Sequence, residues 1–311
     1  MIERNRINRR HFLQGVGGAV VATGLAGAPV VAEGKDRPAK RGDSPVRLKK
    51  AVKFGMVKTD ASILDKFKLL KELGFDGVEM NSPSPLDRNE VLAARDKSGL
   101  PIHGVVNSLH WKAPLSHPDP AVREKCVDSI RTALRDAKAY GGSSRLLVPA
   151  KVDATMPYDK ASTRSQAEIR KVVPLAEELG IRILIENVWN NFLLSPLEMA
   201  RYIDEFASPV VGSYFDVGNV VRSGWPEQWI RILDKRIGKL DIKEYDRTKR
   251  DKEGLWEGFK VQIGEGSVNW PEVMKALGEI NFSGWATAEV PGGDRDRLKD
   301  IADRMDRVLA T

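Results

Sequence analysis

Four short apolar runs in the second half of the chain end on, or carry near their end, an acidic residue. They are Ile181-Arg182-Ile183-Leu184-Ile185-Glu186, Ser213-Tyr214-Phe215-Asp216, Lys239-Leu240-Asp241-Ile242-Lys243 and Trp285-Ala286-Thr287-Ala288-Glu289. A buried strand that finishes on a carboxylate is what a parallel barrel produces where its active-site face begins. If the four strands are neighbours, Glu186, Asp216, Asp241 and Glu289 converge. Carboxylates gathered within a few ångströms raise one another's pKa unless a cation neutralises them. A divalent ion with oxygen ligands is the simplest neutraliser. Two of the carboxylates could then serve as bases on opposite faces of a carbonyl sugar.

The elements that must carry these residues alternate along the chain. Apolar runs at 53–57, 77–80, 102–106, 145–148, 181–184, 211–215, 239–243 and 286–290 read as strands. Amphipathic stretches at 63–73, 87–98, 119–140, 158–179, 196–206, 226–233, 270–280 and 295–309 read as helices, and 246–266 reads as a polar loop. Glycines 74, 99, 141 and 180 stop helices just before strands, and Asp119-Pro120 caps and opens the longest one. Eight such units predict an α/β fold, a closed parallel (β/α)8 TIM barrel, in preference to an open doubly wound sheet. No glycine-rich phosphate loop opens the first helix, which removes the usual nucleotide reading. Strand ends earlier in the barrel would be Lys58, Glu79, Asn107 and Pro149.

From about Lys53 onward the chain resembles the xylose isomerase-like barrel superfamily of sugar isomerases and epimerases. The resemblance is carried by Gly74-Phe75-Asp76-Gly77-Val78-Glu79, by Pro114-Leu115-Ser116 with Pro118-Asp119-Pro120, and by Leu184-Ile185-Glu186-Asn187. Phe215-Asp216-Val217-Gly218-Asn219, Ile242-Lys243-Glu244-Tyr245 and Ile263-Gly264-Glu265-Gly266 complete it, in order. It implies that Glu186, Asp216 and Glu289 hold a divalent ion, Mn²⁺ or Mg²⁺, and that Glu186 and Glu289 are the catalytic acid/base pair. It further implies proton abstraction beside a carbonyl through a metal-stabilised enediolate. The family's histidine ligand falls on Asp241, which makes the site harder and more anionic. The histidine that relatives carry three residues after the aspartate ligand is replaced by Asn219, and a further active-site glutamate falls near Phe192, so substrate recognition is expected to differ from that of ketose 3-epimerases. Arg247 stands where relatives contact substrate.

Each residue also has a plainer reading. Lys243 is more simply a charge partner of the carboxylates than a catalytic amine. Asp216 could cap the turn at Gly218, and Glu79 could be a structural acceptor as readily as a ligand for a substrate hydroxyl. His103, inside a strand, reads as a satisfied core residue and His117 as a turn residue. His110 and Trp111 follow the third strand, where they could contact substrate or simply form a surface loop. The expected partner is a small carbohydrate, and homo-oligomerisation is left open. A keto-sugar lyase or dehydratase on the same site, or a non-catalytic periplasmic sugar-binding barrel, are the alternatives.

Charge and composition narrow the field. The formal net charge of +7 resides in residues 1–50, which hold 11 Lys/Arg and 4 acids, so the remaining chain is neutral. The folded part therefore has no bulk field for a nucleic acid. No histidine follows position 117, which argues against the multi-zinc DNA-cleaving use of such a barrel. The lone Cys126 excludes an intrachain disulfide. Asn8-Arg9-Arg10-His11-Phe12-Leu13 followed by a Gly/Ala-rich apolar run resembles a twin-arginine export signal. The expected organisation is a signal peptide at 1–32, a polar linker at 33–50 and a catalytic barrel at 51–311. The expected location is periplasmic, with no stable membrane anchor after cleavage.

Overall fold

The computed structural model describes residues 46–311. The export signal and most of the linker lie outside the described residues. Eight parallel strands close a barrel in sequence order. They are β1 Arg47–Lys53, β2 Gly77–Ser82, β3 Ile102–Asn107, β4 Ser144–Leu147, β5 Arg182–Glu186, β6 Val211–Asp216, β7 Ile237–Ile242 and β8 Ser283–Ala288. Closure is made by β1 against β8, in a ladder running from Arg47↔Ser283 to Val52↔Ala288.

The outer layer holds α1 Ile63–Glu72, α2 Arg88–Ser98, α3 Pro120–Tyr140, α4 Tyr158–Arg170, α5 Val173–Leu179, α6 Pro196–Asp204, α7 Val217–Val221, α8 Pro226–Leu233, α9 Arg247–Glu253, α10 Trp270–Glu279 and α11 Arg295–Leu309. Local chemistry sets their ends. Asp119 accepts from the Ala121 amide ahead of Pro120, and Gly141 closes α3 at φ +78°, where a side chain would be strained. Ser195 caps α6 through the Glu198 amide. The main core lies between the strands' outer faces and the helices, with Phe67, Leu70, Ile130, Ile183, Phe215, Ile230 and Ile301 fully buried. A small apolar cluster, Leu146, Leu184 and Tyr214 with Val106 against it, stands apart from this core.

The barrel interior also carries a polar network. Lys239 Nζ meets His103 Nδ1 at 2.9 Å, and His103 Nε2 meets Thr287 Oγ1 at 3.2 Å. Tyr214 OH lies 2.9 Å from Thr287 Oγ1 and 3.1 Å from Glu79 Oε1. His103 is thus the satisfied core residue expected, stacked on Trp285. Burial depresses its pKa well below the usual value, with the Lys239 charge adding to the effect.

Three expectations need correction. The first strand is Arg47–Lys53, not 53–57, so the barrel begins inside the segment assigned to the linker and before residue 51; 54–56 is a 3₁₀ turn. Its lysines hid it. Lys50 buries its stem and sets its ammonium on Asp306 at 2.7 Å. The stretch 158–179 is two helices, broken before Pro174, which cannot donate a backbone hydrogen bond. The polar loop 246–266 contains α9, capped by Asp246.

Arg145, on the outer face of β4, is fully buried, and its Nε and Nη1 have no hydrogen-bond partner. Burial pushes its pKa down to about 9. Removing an uncompensated buried charge while keeping the stem should help the fold. Arg145→Met is expected to raise unfolding free energy by roughly 1–4 kcal/mol in urea titration; a loss of stability would show that the guanidinium, which donates through Nη2 to Leu146 O at 3.2 Å, is compensated after all.

Candidate active site

Strands β5 to β8 are consecutive in the barrel, and each delivers one acid to the same rim. Glu186 and Asp216 are the last residues of β5 and β6; Asp241 is the penultimate residue of β7; Glu289 follows β8 and its amide donates to Ile242 O. One oxygen from each of the four carboxylates lies within 4.8 Å of the others. Asp216 and Asp241 are fully buried, and Glu186 nearly so. Three neighbouring asparagine contacts fix the β6 end: Asn187 accepts from the Asp216 amide at 2.8 Å and donates to its carbonyl, and Asn219 donates its amide side chain to Asn187 O. Asp216 also caps α7 by accepting from the Asn219 backbone amide at 2.7 Å. It is therefore both a cap and a member of the cluster.

Two lysines balance this charge. Lys53, the last residue of β1, places Nζ 3.0 Å from Asp241 Oδ2, 2.8 Å from Glu289 Oε1 and 3.9 Å from Glu79 Oε2. Lys243 places Nζ 3.0 Å from Asp216 Oδ2 and 2.7 Å from Glu289 Oε2. Burial would lower both lysines' pKa values, but the adjoining carboxylates outweigh it and hold both above the ordinary value. Glu289 is drawn the other way. Burial alone would raise it, yet the two ammonium groups keep it well below the usual carboxylate range. Among the described residues Glu186 has no ammonium within ion-pair distance, and burial together with the Glu289 charge pushes it up to about 8. Burial also raises Asp216 and Asp241 against the pull of their lysines.

The cluster opens into a cavity of about 430 Å³ lined by Glu186, Glu289, Lys243, His110, Trp111 and Asn81, among others. That volume falls at the lower end of the range for small-molecule sites. His110 Nδ1 accepts from the Val148 amide at 3.1 Å, and burial pushes its pKa down to about 3, so it faces the cavity neutral. Of the residues expected to contact substrate, His110, Trp111 and Lys243 line this cavity. Glu79, Asn219 and Arg247 do not. Glu79 is buried beneath the cluster and bonded to Tyr214. Asn219 borders a separate cavity of about 450 Å³ beside Trp189 and Trp229. Arg247 donates to the carbonyls of Val221 and Gly224 and lies over Trp225, tying two rim loops together. Glu244 is likewise structural, accepting from Gly264 N, Val268 N and Trp270 Nε1.

The donor set suits a hard divalent cation. All four groups offer oxygen, and Asp216 Oδ2, Asp241 Oδ1 and Glu289 Oε2 are buried without a hydrogen-bond partner. Lys53 was missed because the first strand was placed six residues late; the signal present was the Ala51-Val52 pair ahead of a lysine.

A parallel barrel with acids on four adjacent strand ends is the architecture of a TIM-barrel enzyme whose reactive face is the carboxyl-terminal rim. Residues 67–310 match the xylose isomerase-like TIM barrel family, and the chain belongs to it. Among curated relatives, the putative L-ribulose-5-phosphate 3-epimerase SgbU of Escherichia coli is 26% identical over 242 residues, covering 72% of this chain and 82% of that protein. The L-ribulose-5-phosphate 3-epimerase UlaE of Salmonella heidelberg is 25% identical over 255 residues, 76% and 87% of the two chains. Among solved structures, the 3-keto-D-glucoside 4-epimerase YcjR of E. coli superposes with a TM-score of 0.72 at 18% identity, covering 85% of this chain and all of the other. D-allulose 3-epimerase from Methylomonas sp. gives 0.70 at 19% identity, over 85% and 99%. At those identities the structural likeness establishes the fold.

The Lys53–Asp241 contact is open to a direct test. Lys53→Met leaves a fully buried carboxylate without its cation, which should cost about 3–5 kcal/mol of stability in EDTA. Adding Asp241→Asn to the same chain should return about half of the loss or more, by the logic of a double-mutant cycle. Additive losses in denaturant titrations would show the pair to be uncoupled.

Proposed function

We propose that this protein is a metal-dependent sugar isomerase or epimerase that moves a proton on carbon next to a carbonyl. The observation that carries the reading is the convergence of Glu186, Asp216, Asp241 and Glu289 from four adjacent strands to within 4.8 Å. Those four residues would hold the ion, Mn²⁺ or Mg²⁺. When bound, it supplies Lewis acidity that polarises the substrate carbonyl and acidifies the adjacent C–H.

The chain's own groups divide the proton work. Glu289, kept ionised by Lys53, is the base that takes the proton from carbon. Glu186, whose carboxyl burial pushes up in the metal-free protein, is the group that returns a proton from the other side. Two carboxylates with pKa values driven apart are the arrangement that separates acid from base in one pocket. His110, fixed by Val148, and the Trp111 ring line the same cavity as the acids, where a sugar's hydroxyls and its apolar ring face find partners. Curated relatives named as pentulose-phosphate 3-epimerases and a fold neighbour named as a keto-glucoside epimerase support the reaction class.

Solvent-deuterium incorporation tests it. Keto-sugars incubated with the protein and Mn²⁺ in D₂O should exchange at one carbon, followed by NMR, and Glu289→Gln should slow exchange about 10²–10⁴-fold. Absence of exchange across ketoses, their phosphates and 3-keto-glycosides would overturn the reading and favour a sugar-binding barrel.

We further propose that the chain is exported by the twin-arginine route, on the basis of Arg9-Arg10 and the apolar run behind it. Arg9→Lys with Arg10→Lys should abolish export of the full-length protein, read by cell fractionation; unchanged export would refute the assignment.

A further inference from the structure

Lys243 and a divalent ion compete for the same oxygens. Its ammonium bridges Asp216 Oδ2 and Glu289 Oε2 at 3.0 and 2.7 Å. Those two oxygens are among the buried ones that make no hydrogen bond, so the ammonium sits in contact with them but off their hydrogen-bonding directions. The other oxygen of each group is already engaged, Asp216 Oδ1 by the Asn219 amide and Glu289 Oε1 by Lys53. The oxygens of Asp216 and Glu289 left free of hydrogen bonds for a cation are therefore the ones Lys243 contacts. Like charges at such separations in a buried site repel strongly.

Lys243 also has somewhere to go. It lines the 430 Å³ cavity beside Glu186 and Glu289, and its Nζ lies 5.6 Å from the centre of the Phe259 ring, whose face can receive an ammonium. Lys53 lacks that freedom. It is held by Asp241 and Glu289, with Glu79 and the Tyr214 ring close by, and does not line the cavity.

Resting on the metal-binding reading above, we infer that Lys243 is a resident counter-cation, mutually exclusive with the divalent ion. In the metal-free protein it holds Asp216 and Glu289 together. When the ion enters, its ammonium leaves for the cavity and becomes a hydrogen-bond donor to bound sugar. Lys53 stays in place in both states. The protein is thereby a cation-exchange site, folded at its rim without metal and with an apparent metal affinity set below that of its bare carboxylates.

Mn²⁺ alone is the probe, with the free ion counted by electron paramagnetic resonance at one fixed neutral pH. Lys243→Met and Lys243→Gln should each bind Mn²⁺ about tenfold or more tightly than the wild type, because no ammonium has to be displaced. Their melting temperatures in EDTA should fall below the wild type's and recover more on adding Mn²⁺. In the wild type, acetylation of Lys243, read by peptide mass spectrometry, should rise several-fold on Mn²⁺ addition while that of Lys53 does not change. This arm needs no variant. Equal or weaker Mn²⁺ binding by the Lys243 variants, or Lys243 acetylation indifferent to Mn²⁺, would overturn the inference and leave the metal site standing. Failure of the wild type and both variants to bind Mn²⁺ would remove the metal site and this inference with it.

Discussion

The fold gathers Glu79, Glu186, Asp216, Asp241 and Glu289 at the end of one barrel, the first four buried and Glu289 partly so, and carboxylates cannot be desolvated there without positive charge among them. The protein answers with Lys53 from the first strand and Lys243 from just past the seventh. Both lie against Glu289, one on each oxygen. Glu289 is thus the hinge of the charge arrangement, and its proton-poor state follows from that position. Glu186 is left without an ammonium in contact, and its proton-rich state follows from the same distribution.

The deeper barrel supports this rim. Glu79 sits below the cluster, hydrogen-bonded to Tyr214, and the chain of contacts continues through Thr287 and His103 to Lys239. A network in which every member has a partner rigidifies a core that apolar side chains alone would fill more loosely. The floor under the acids is therefore made of directional contacts. That limits how far Glu79, and Lys53 above it, can shift.

Much of this was legible in the chain itself. The parallel order, the strand-terminal acids and the helix-stopping glycines follow from short-range patterns, and the structure places all four acids together. What was lost was lost for physical reasons. The first strand carries Lys49, Lys50 and Lys53, and burial of lysine stems against an aspartate or an acidic cluster is not visible in a hydropathy pattern. Without that strand in place, Lys53 could not be assigned to the rim. Asn219 and Arg247 sit next to recognisable motifs, but their side chains turn to backbone carbonyls of neighbouring loops. That choice is made by tertiary packing, and nothing in their immediate sequence records it.

Gly218 carries a consequence of its own. A β-carbon there would come within 2.8 Å of the Lys243 backbone, so the turn after β6 and the end of β7 meet with no room for even a methyl group. The spacing between two acid-bearing strands is thus set by a missing atom. The separation of Asp216 and Asp241 at this rim is consequently a property of the main chain as well as of their side chains. Moving those two acids apart would mean prying open strands locked on both sides by their ladders.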